Sequence, residues 1–245
     1  MNVMDDTMRG RILSRPQDYA WIGDRFLKPP VRQVVLSFHG LGYSGMKDAP
    51  DTTDMELSAS GALCVFPYYG PWSWMNDEAA VLVDTVLDAV FARFPLDPAT
   101  PVISTGGSMG GLSALMYCCL SRHTIAACYA NCPVCDLPFH ATERPDLPRT
   151  MYAAFAHCAC GVDEAMKLHS PLHQVERLPD IRYLIVHGDR DTSVNKAAHS
   201  DKLVALMRRQ RLSVEYIEVP GMEHCSITDY GIYRRTLDFV KSFTL

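Results

Sequence analysis

Ser108 sits in Gly106-Gly107-Ser108-Met109-Gly110-Gly111, a G-x-S-x-G pattern. A short β-type run, Val102 to Thr105, precedes it, and the helical run LSALMYCCL follows it. That context reads as a nucleophile elbow, a sharp strand-to-helix turn that presents a serine hydroxyl at the edge of a sheet. Side chains at Gly106 or Gly110 are expected to collide with neighbouring backbone. The stretch does not match a dinucleotide fingerprint, which needs G-x-G-x-x-G after the first strand. It lacks the lysine of a P-loop.

A serine hydroxyl is a weak nucleophile until a base takes its proton, so a histidine and an orienting acid are required. Both residue types occur downstream in the order this sheet chemistry uses. His187-Gly188-Asp189-Arg190-Asp191 follows the run YLIV, and Gly221-Met222-Glu223-His224 follows VEYIEV. Ser108, the acid and His224 are thereby predicted at carboxyl ends of strands in one sheet. Asp189 and Asp191 compete for the acid role. Asp191 is favoured, because Asp189 lies at the strand end, where it caps the turn or pairs with Arg190. His187 is expected to be structural.

Attack by Ser108 places negative charge on the substrate carbonyl oxygen, which needs fixed donors. The backbone N–H of Met109 is one candidate. The N–H of Leu41, in the His39-Gly40-Leu41-Gly42 loop, is the other, with His39 bracing that loop. Tyr68-Tyr69-Gly70-Pro71-Trp72-Ser73-Trp74 forms an aromatic loop at another strand end. Trp72 and Trp74, with Tyr43, are candidate walls of an acyl or alcohol pocket, since such pockets are mostly apolar. The alternative for this loop is packing beneath the next helix.

The elements that must hold these groups alternate. Val34 to Phe38, Ala62 to Phe66, Val102 to Thr105, Ile125 to Ala130, Tyr183 to Val186 and Val214 to Val219 read as strands, several apolar on both faces. A helix capped by Asn76 carries Val83, Val86, Leu87, Val90 and Phe94 on one stripe and ends at Pro95. Further helices are predicted at about 110–121, 193–210 and the C-terminus, where Ile232, Phe239, Val240 and Phe243 share a face. This pattern predicts an α/β fold with a mostly parallel sheet covered on both faces. The 245 residues fit one such domain. Segment 137–181, longer than a plain crossover and rich in proline, is read as a small cap insertion.

Composition narrows the partners. A net charge of −5 argues against a basic nucleic-acid face. No apolar run approaches the roughly 18 residues needed to span a bilayer. The expected partner is a small-molecule ester or a short peptide, with neither nucleic acid nor membrane. MNVMDDTMRG at the N-terminus has two acids and no apolar run, so it does not read as a signal peptide, and the expected location is cytoplasmic. The nine cysteines then stay reduced and serve mostly as core packing. Cys132-x-x-Cys135 with Cys158-x-Cys160 is a poor match to zinc-ligand spacing, so neither metal nor cofactor is expected. Cys225, next to His224, is the thiol whose modification should most affect activity.

Together these residues resemble the α/β-hydrolase superfamily. Residues from about 100 onward are most similar to the catalytic domain of the prolyl oligopeptidase family and its esterase relatives. The resemblance is carried by the elbow, Pro133-Val134-Cys135-Asp136, Ser170-Pro171, the Asp191 segment with Val194, and the His224 segment. It implies an acyl-enzyme mechanism with Ser108 as nucleophile, Asp191 as acid and His224 as base. The sequence departs from the family pattern at Asn195, where proline is common, and at Cys225, where glycine is common. With about thirty residues before the first core strand, no β-propeller is expected, and the reading leans to an esterase of small or medium acyl groups over a peptidase, with a non-catalytic ligand-binding member of the fold as the rival from another class.

Overall fold

The computed structural model describes residues 4–243. Seven strands form one sheet: β1 (Ala20–Ile22), β2 (Gln33–Phe38), β3 (Ala62–Pro67), β4 (Val102–Gly107), β5 (Ile125–Asn131), β6 (Arg182–Gly188) and β7 (Ser213–Val219). Their spatial order is β1-β3-β2-β4-β5-β6-β7. Only β1, at the edge, runs antiparallel to its neighbour; every other pair is parallel. This is the fold class expected from the sequence. All six expected strands are present. β1 is three residues long, too short to show a period, and it escapes a pattern search.

Alternation along the strands divides the core. Val34, Leu36 and Phe38 of β2 face one side, where they join Val83 and Leu87 of α3 (Asp77–Arg93) and Leu112 and Leu115 of α4 (Met109–Leu120). Val35 and, on β4, Ile103 face the other side with Leu57 of α2 (Thr52–Ala59) and Leu237 and Val240 of α9 (Tyr230–Lys241). These side chains are 4% exposed or less. Burial contributes about 1.5–3 kcal/mol for each large aliphatic side chain. Asn76 caps α3 as expected, accepting the N–H of Ala79 at 3.0 Å. One further helix, α1 (Asp6–Ser14), precedes the sheet.

Between β5 and β6 the chain forms α5 (Leu137–His140), α6 (Leu147–Phe155) and α7 (Val162–Leu168). Helix α6 starts three residues before the expected run at 150. These helices are bound to the loop before α3: Trp74 Nε1 donates to Thr150 Oγ1 at 3.1 Å, Asn76 Nδ2 to the Ala154 carbonyl at 3.0 Å, and His169 Nδ1 to the Met75 carbonyl at 2.8 Å. Helix α8 covers Ser200–Arg209, shorter than expected. Residues 193–199, about two turns of the expected helix, are instead a loop, at whose start the Asp191 carboxylate accepts the N–H groups of Ser193 and Val194.

Candidate active site

At the end of β4 the backbone turns through Ser108 with φ 59° and ψ −123°. Such a conformation costs a non-glycine residue about 1–3 kcal/mol and persists only when its surroundings enforce it. They do so through contacts that exclude side chains. A Cβ at Gly106 would lie 2.2 Å from the Gly110 carbonyl oxygen, and one at Gly110 would lie 2.2 Å from that of Phe38. Glycine at 110 therefore lets α4 press against the end of β2. Met109 opens α4, so its N–H belongs to the first turn, which has no intrahelical acceptor. The Leu41 loop leaves β2 beside this contact. It is braced by His39, which is 3% exposed and stacked on Tyr69 with ring centroids 4.2 Å apart. The Tyr69 hydroxyl donates to the His39 carbonyl at 3.1 Å.

Asp191 and His224 meet beyond β6 and β7. His224 Nδ1 lies 2.7 Å from Asp191 Oδ2. The Asp191 side chain has no exposed surface. Burial pushes its carboxyl up, but hydrogen bonds from His187, His224 and the Val194 N–H outweigh it and hold it well below the ordinary range. Burial likewise disfavours a charged His224, yet the hydrogen bond to Asp191 and the neighbouring Cys132 sulfur outweigh it and raise its pKa above the ordinary value. Asp189 instead accepts the Gly221 N–H at 2.6 Å, tying the loop after β6 to the loop after β7. Gly188 is needed there, since a Cβ would lie 2.0 Å from the Met222 carbonyl oxygen.

Three residues at the site carry more than their sequence positions suggested. His187 is buried, with Nδ1 accepting from Ser200 Oγ at 2.7 Å. That fixes its proton on Nε2, which lies 3.1 Å from Asp191 Oδ2 and 3.2 Å from the Val194 carbonyl. It therefore positions the carboxylate that touches His224. The Asn131 carbonyl accepts the Ser108 N–H at 3.0 Å and the Cys225 thiol at 3.5 Å, and Asn131 Nδ2 donates to the Cys225 carbonyl at 3.3 Å. One residue at the end of β5 thus ties the elbow to the histidine loop. Cys132, fully buried, accepts the Cys225 N–H at 3.3 Å. The contacts of Asn131 and Cys132 with Cys225 have no signal in spacing, because the partners are more than ninety residues apart.

The two cysteines of the Cys-x-x-Cys stretch do not face one another. Cys135 is a buried thiol whose Sγ donates to the Pro133 carbonyl at 3.4 Å, whereas Cys132 faces Cys225 across the sheet edge. Trp74 differs from expectation. It has no exposed surface and its indole N–H is spent on Thr150, so it packs the loop against α6 and offers no wall to a substrate. Trp72 and Tyr43 are 38% and 37% exposed, and the Tyr43 ring stacks on His39 beside the Leu41 loop.

A sequence model described as "Prolyl oligopeptidase family" matches residues 85–244. No curated protein matches the sequence. Among solved structures, a puromycin-hydrolyzing peptidase of Mycobacterium tuberculosis superposes with a TM-score of 0.71 at 18% identity, over 88% of this chain and 34% of that one. The chain thus spans about a third of that peptidase's length. Esterase B of Lactobacillus rhamnosis gives a TM-score of 0.67 at 14% identity over 89% of this chain and 76% of its own. The Est2 esterase of Thermogutta terrifontis gives 0.64 at 19% identity over 91% and 85%. At such identities the likeness concerns the fold. Among the described residues, no helix is long and apolar enough to cross a membrane.

Proposed function

The chain belongs to the prolyl oligopeptidase family, and from that premise we propose that it is a serine hydrolase that cleaves carboxylic esters of small or medium acyl groups through an acyl-enzyme. The observation that carries the proposal is Ser108 on a strained strand-to-helix turn at the same sheet edge as the pair of buried Asp191 and partly exposed His224. Ser108 Oγ attacks the ester carbonyl while His224 takes its proton. The N–H groups of Met109 and Leu41 hold the oxyanion, each worth about 3–4 kcal/mol in the transition state. His224 then returns the proton to the leaving alkoxide, and the same steps with water release the acid. Asp191 keeps the His224 proton on Nδ1, leaving Nε2 as the base. In this reading, residues 1–245 are one catalytic domain, residues 137–181 are its cap, and Trp72 and Tyr43 line the entrance.

The choice of ester over peptide leans on the two esterases, which the chain matches over most of their length. The family match itself favours short peptides as the second reading. Turnover of p-nitrophenyl acyl esters of graded length, compared with aminoacyl arylamides, separates the two. Ester turnover with little arylamide turnover is expected; the reverse ranking makes the protein a peptidase. Labelling by a fluorophosphonate probe is expected in the native protein and lost in Ser108→Ala. Absence of labelling in the native protein would remove the serine-hydrolase mechanism.

A further inference from the structure

Two thiols and an imidazole converge behind Ser108. The sulfurs of Cys132 and Cys225 and a ring nitrogen of His224 all lie within 4.8 Å of one another. The Cys225 sulfur is 3.9 Å from His224 Nε2. Tetrahedral zinc bonded at about 2.3 Å to sulfur and 2.0–2.1 Å to nitrogen sets ligand atoms about 3.6–3.8 Å apart, so the Cys225–His224 pair is already within a few tenths of an ångström of closure, and every pair within about 1.2 Å. Room for the thiol exists because residue 107 is glycine: a Cβ there would lie 3.2 Å from the Cys225 sulfur. Both cysteines occupy left-handed backbone, with φ 44° at Cys132 and 57° at Cys225. That conformation costs a non-glycine residue about 1–2 kcal/mol, and here it turns both sulfurs toward one point.

We propose that Cys132, Cys225 and His224 Nε2 form a reversible site for a thiophilic divalent cation of the zinc class, which switches the hydrolase off. The surroundings match what such sites require. A metal-bound histidine characteristically donates its other ring N–H to a carboxylate, as His224 Nδ1 does to Asp191. Asp191 is not itself a ligand, because its oxygens already accept from Ser193, Val194, His187 and His224. His187 is also unavailable, with one nitrogen on Ser200 and the other on Asp191 and Val194. Two thiolates and one imidazole leave a fourth position open to water, as in three-ligand zinc sites. The 27% exposure of the His224 side chain gives the ion a way in. On binding, both thiols lose their protons to solvent and the Nε2 lone pair goes to the metal. His224 can then no longer accept the Ser108 proton.

Metal binding stands apart from the hydrolase reading; its effect on Ser108 rests on it. The full chain, stripped with a chelator and kept reduced, is titrated with Co²⁺. A thiolate-to-cobalt charge-transfer band saturating at one ion per chain and displaced by Zn²⁺ is expected. Loss of an outer-shell partner typically lowers metal affinity about 10–100-fold, so Cys132→Ser and Cys225→Ser should each lower it by about 100-fold or more. Cys160→Ser, at an exposed thiol, should keep the band. No band, or a band unchanged in both ligand variants, overturns the site. If either variant fails to fold, N-ethylmaleimide mapping of the native protein decides: Zn²⁺ must slow alkylation of Cys225, and equal rates overturn the site. Zn²⁺ should also slow fluorophosphonate labelling of Ser108 by at least about tenfold, reversed by chelator. A cobalt band with labelling indifferent to Zn²⁺ overturns the switch. A protein never labelled, with or without metal, refutes the hydrolase mechanism and leaves the cobalt result to judge the site.

Discussion

Two clusters at the carboxyl edge of this sheet have the same composition, a carboxylate between two histidines, and opposite characters. In one, Asp191 accepts from His187 and His224. In the other, Glu143 accepts from His140 and from His199 Nε2, and from the Asn195 N–H at 2.8 Å. Both carboxyls are held below their ordinary range although burial opposes it, Glu143 at about 2. The difference lies in the far nitrogen of one ring. His199 Nδ1 accepts the N–H groups of Cys135 and Asp136 at 3.0 and 3.2 Å, and its side chain is fully buried. His224 Nε2 faces a thiol at 3.9 Å and partly exposed space. A ring whose two nitrogens are both committed to backbone and carboxylate joins pieces of structure. A ring with one nitrogen uncommitted can move a proton. The Glu143 cluster fastens the segment after α5 to the loop before α8; the Asp191 cluster, in our proposal, does chemistry.

The sharpest test of this contrast is removal of the uncommitted group. Ser108→Ala and His224→Ala should each lower kcat by about 10⁶-fold, and Asp191→Asn by about 10⁴-fold, as in serine hydrolases where the triad acts as a unit. Ester turnover in the purified variants checks this, and near-native kcat in His224→Ala would move the base elsewhere. Next comes His187→Gln, which leaves Asp191 in place but loosens its orientation. Misplacement of a positioned group can cost up to about 10²-fold, so kcat should fall by about 10–10² with KM little changed. A purely structural role would lower the melting temperature and leave kcat of the folded fraction intact.

The Glu143 cluster should behave in the opposite way. Glu143→Gln should lower stability by about 1–3 kcal/mol, a few degrees of melting temperature, while kcat stays within about twofold. Large loss of kcat with unchanged melting would erase the distinction between the clusters. The smallest expected effect is in pH. Because the folded-state pKa of Glu143, about 2, lies below its ordinary value of 4.5, its stabilisation is present above pH 4.5 and lost as pH falls toward 2. The melting difference between native protein and Glu143→Gln should therefore shrink over that window.

Much of this contrast was invisible in the linear chain, though its reactive half was not. The Ser108 elbow is legible because glycine is forced wherever backbone presses on backbone, and Gly106 and Gly110 meet carbonyl oxygens at 2.2 Å. Asp191 and His224 are legible because a parallel sheet places the ends of its strands on one edge, so order along the chain becomes proximity in space. Trp74 was misjudged because an aromatic loop reads the same whether it faces a substrate or α6. Helix α2 went unpredicted because its eight residues carry no clear apolar stripe. Its start is set by a capping box between Asp51 and Asp54, a pair the surrounding acids conceal.

The sequence by itself determined the fold class, the glycine-bounded turn at Ser108 and the chain order of the three candidate catalytic groups, since hydrophobic period and glycine sterics are local properties. Only the tertiary structure decided the partners of each polar atom: His187 on Asp191, Cys132 with Cys225, Asn131 between the elbow and the histidine loop. Hydrogen bonds and sulfur contacts act over about 3–4 Å. Residues more than ninety positions apart meet at that range only after the whole sheet has formed.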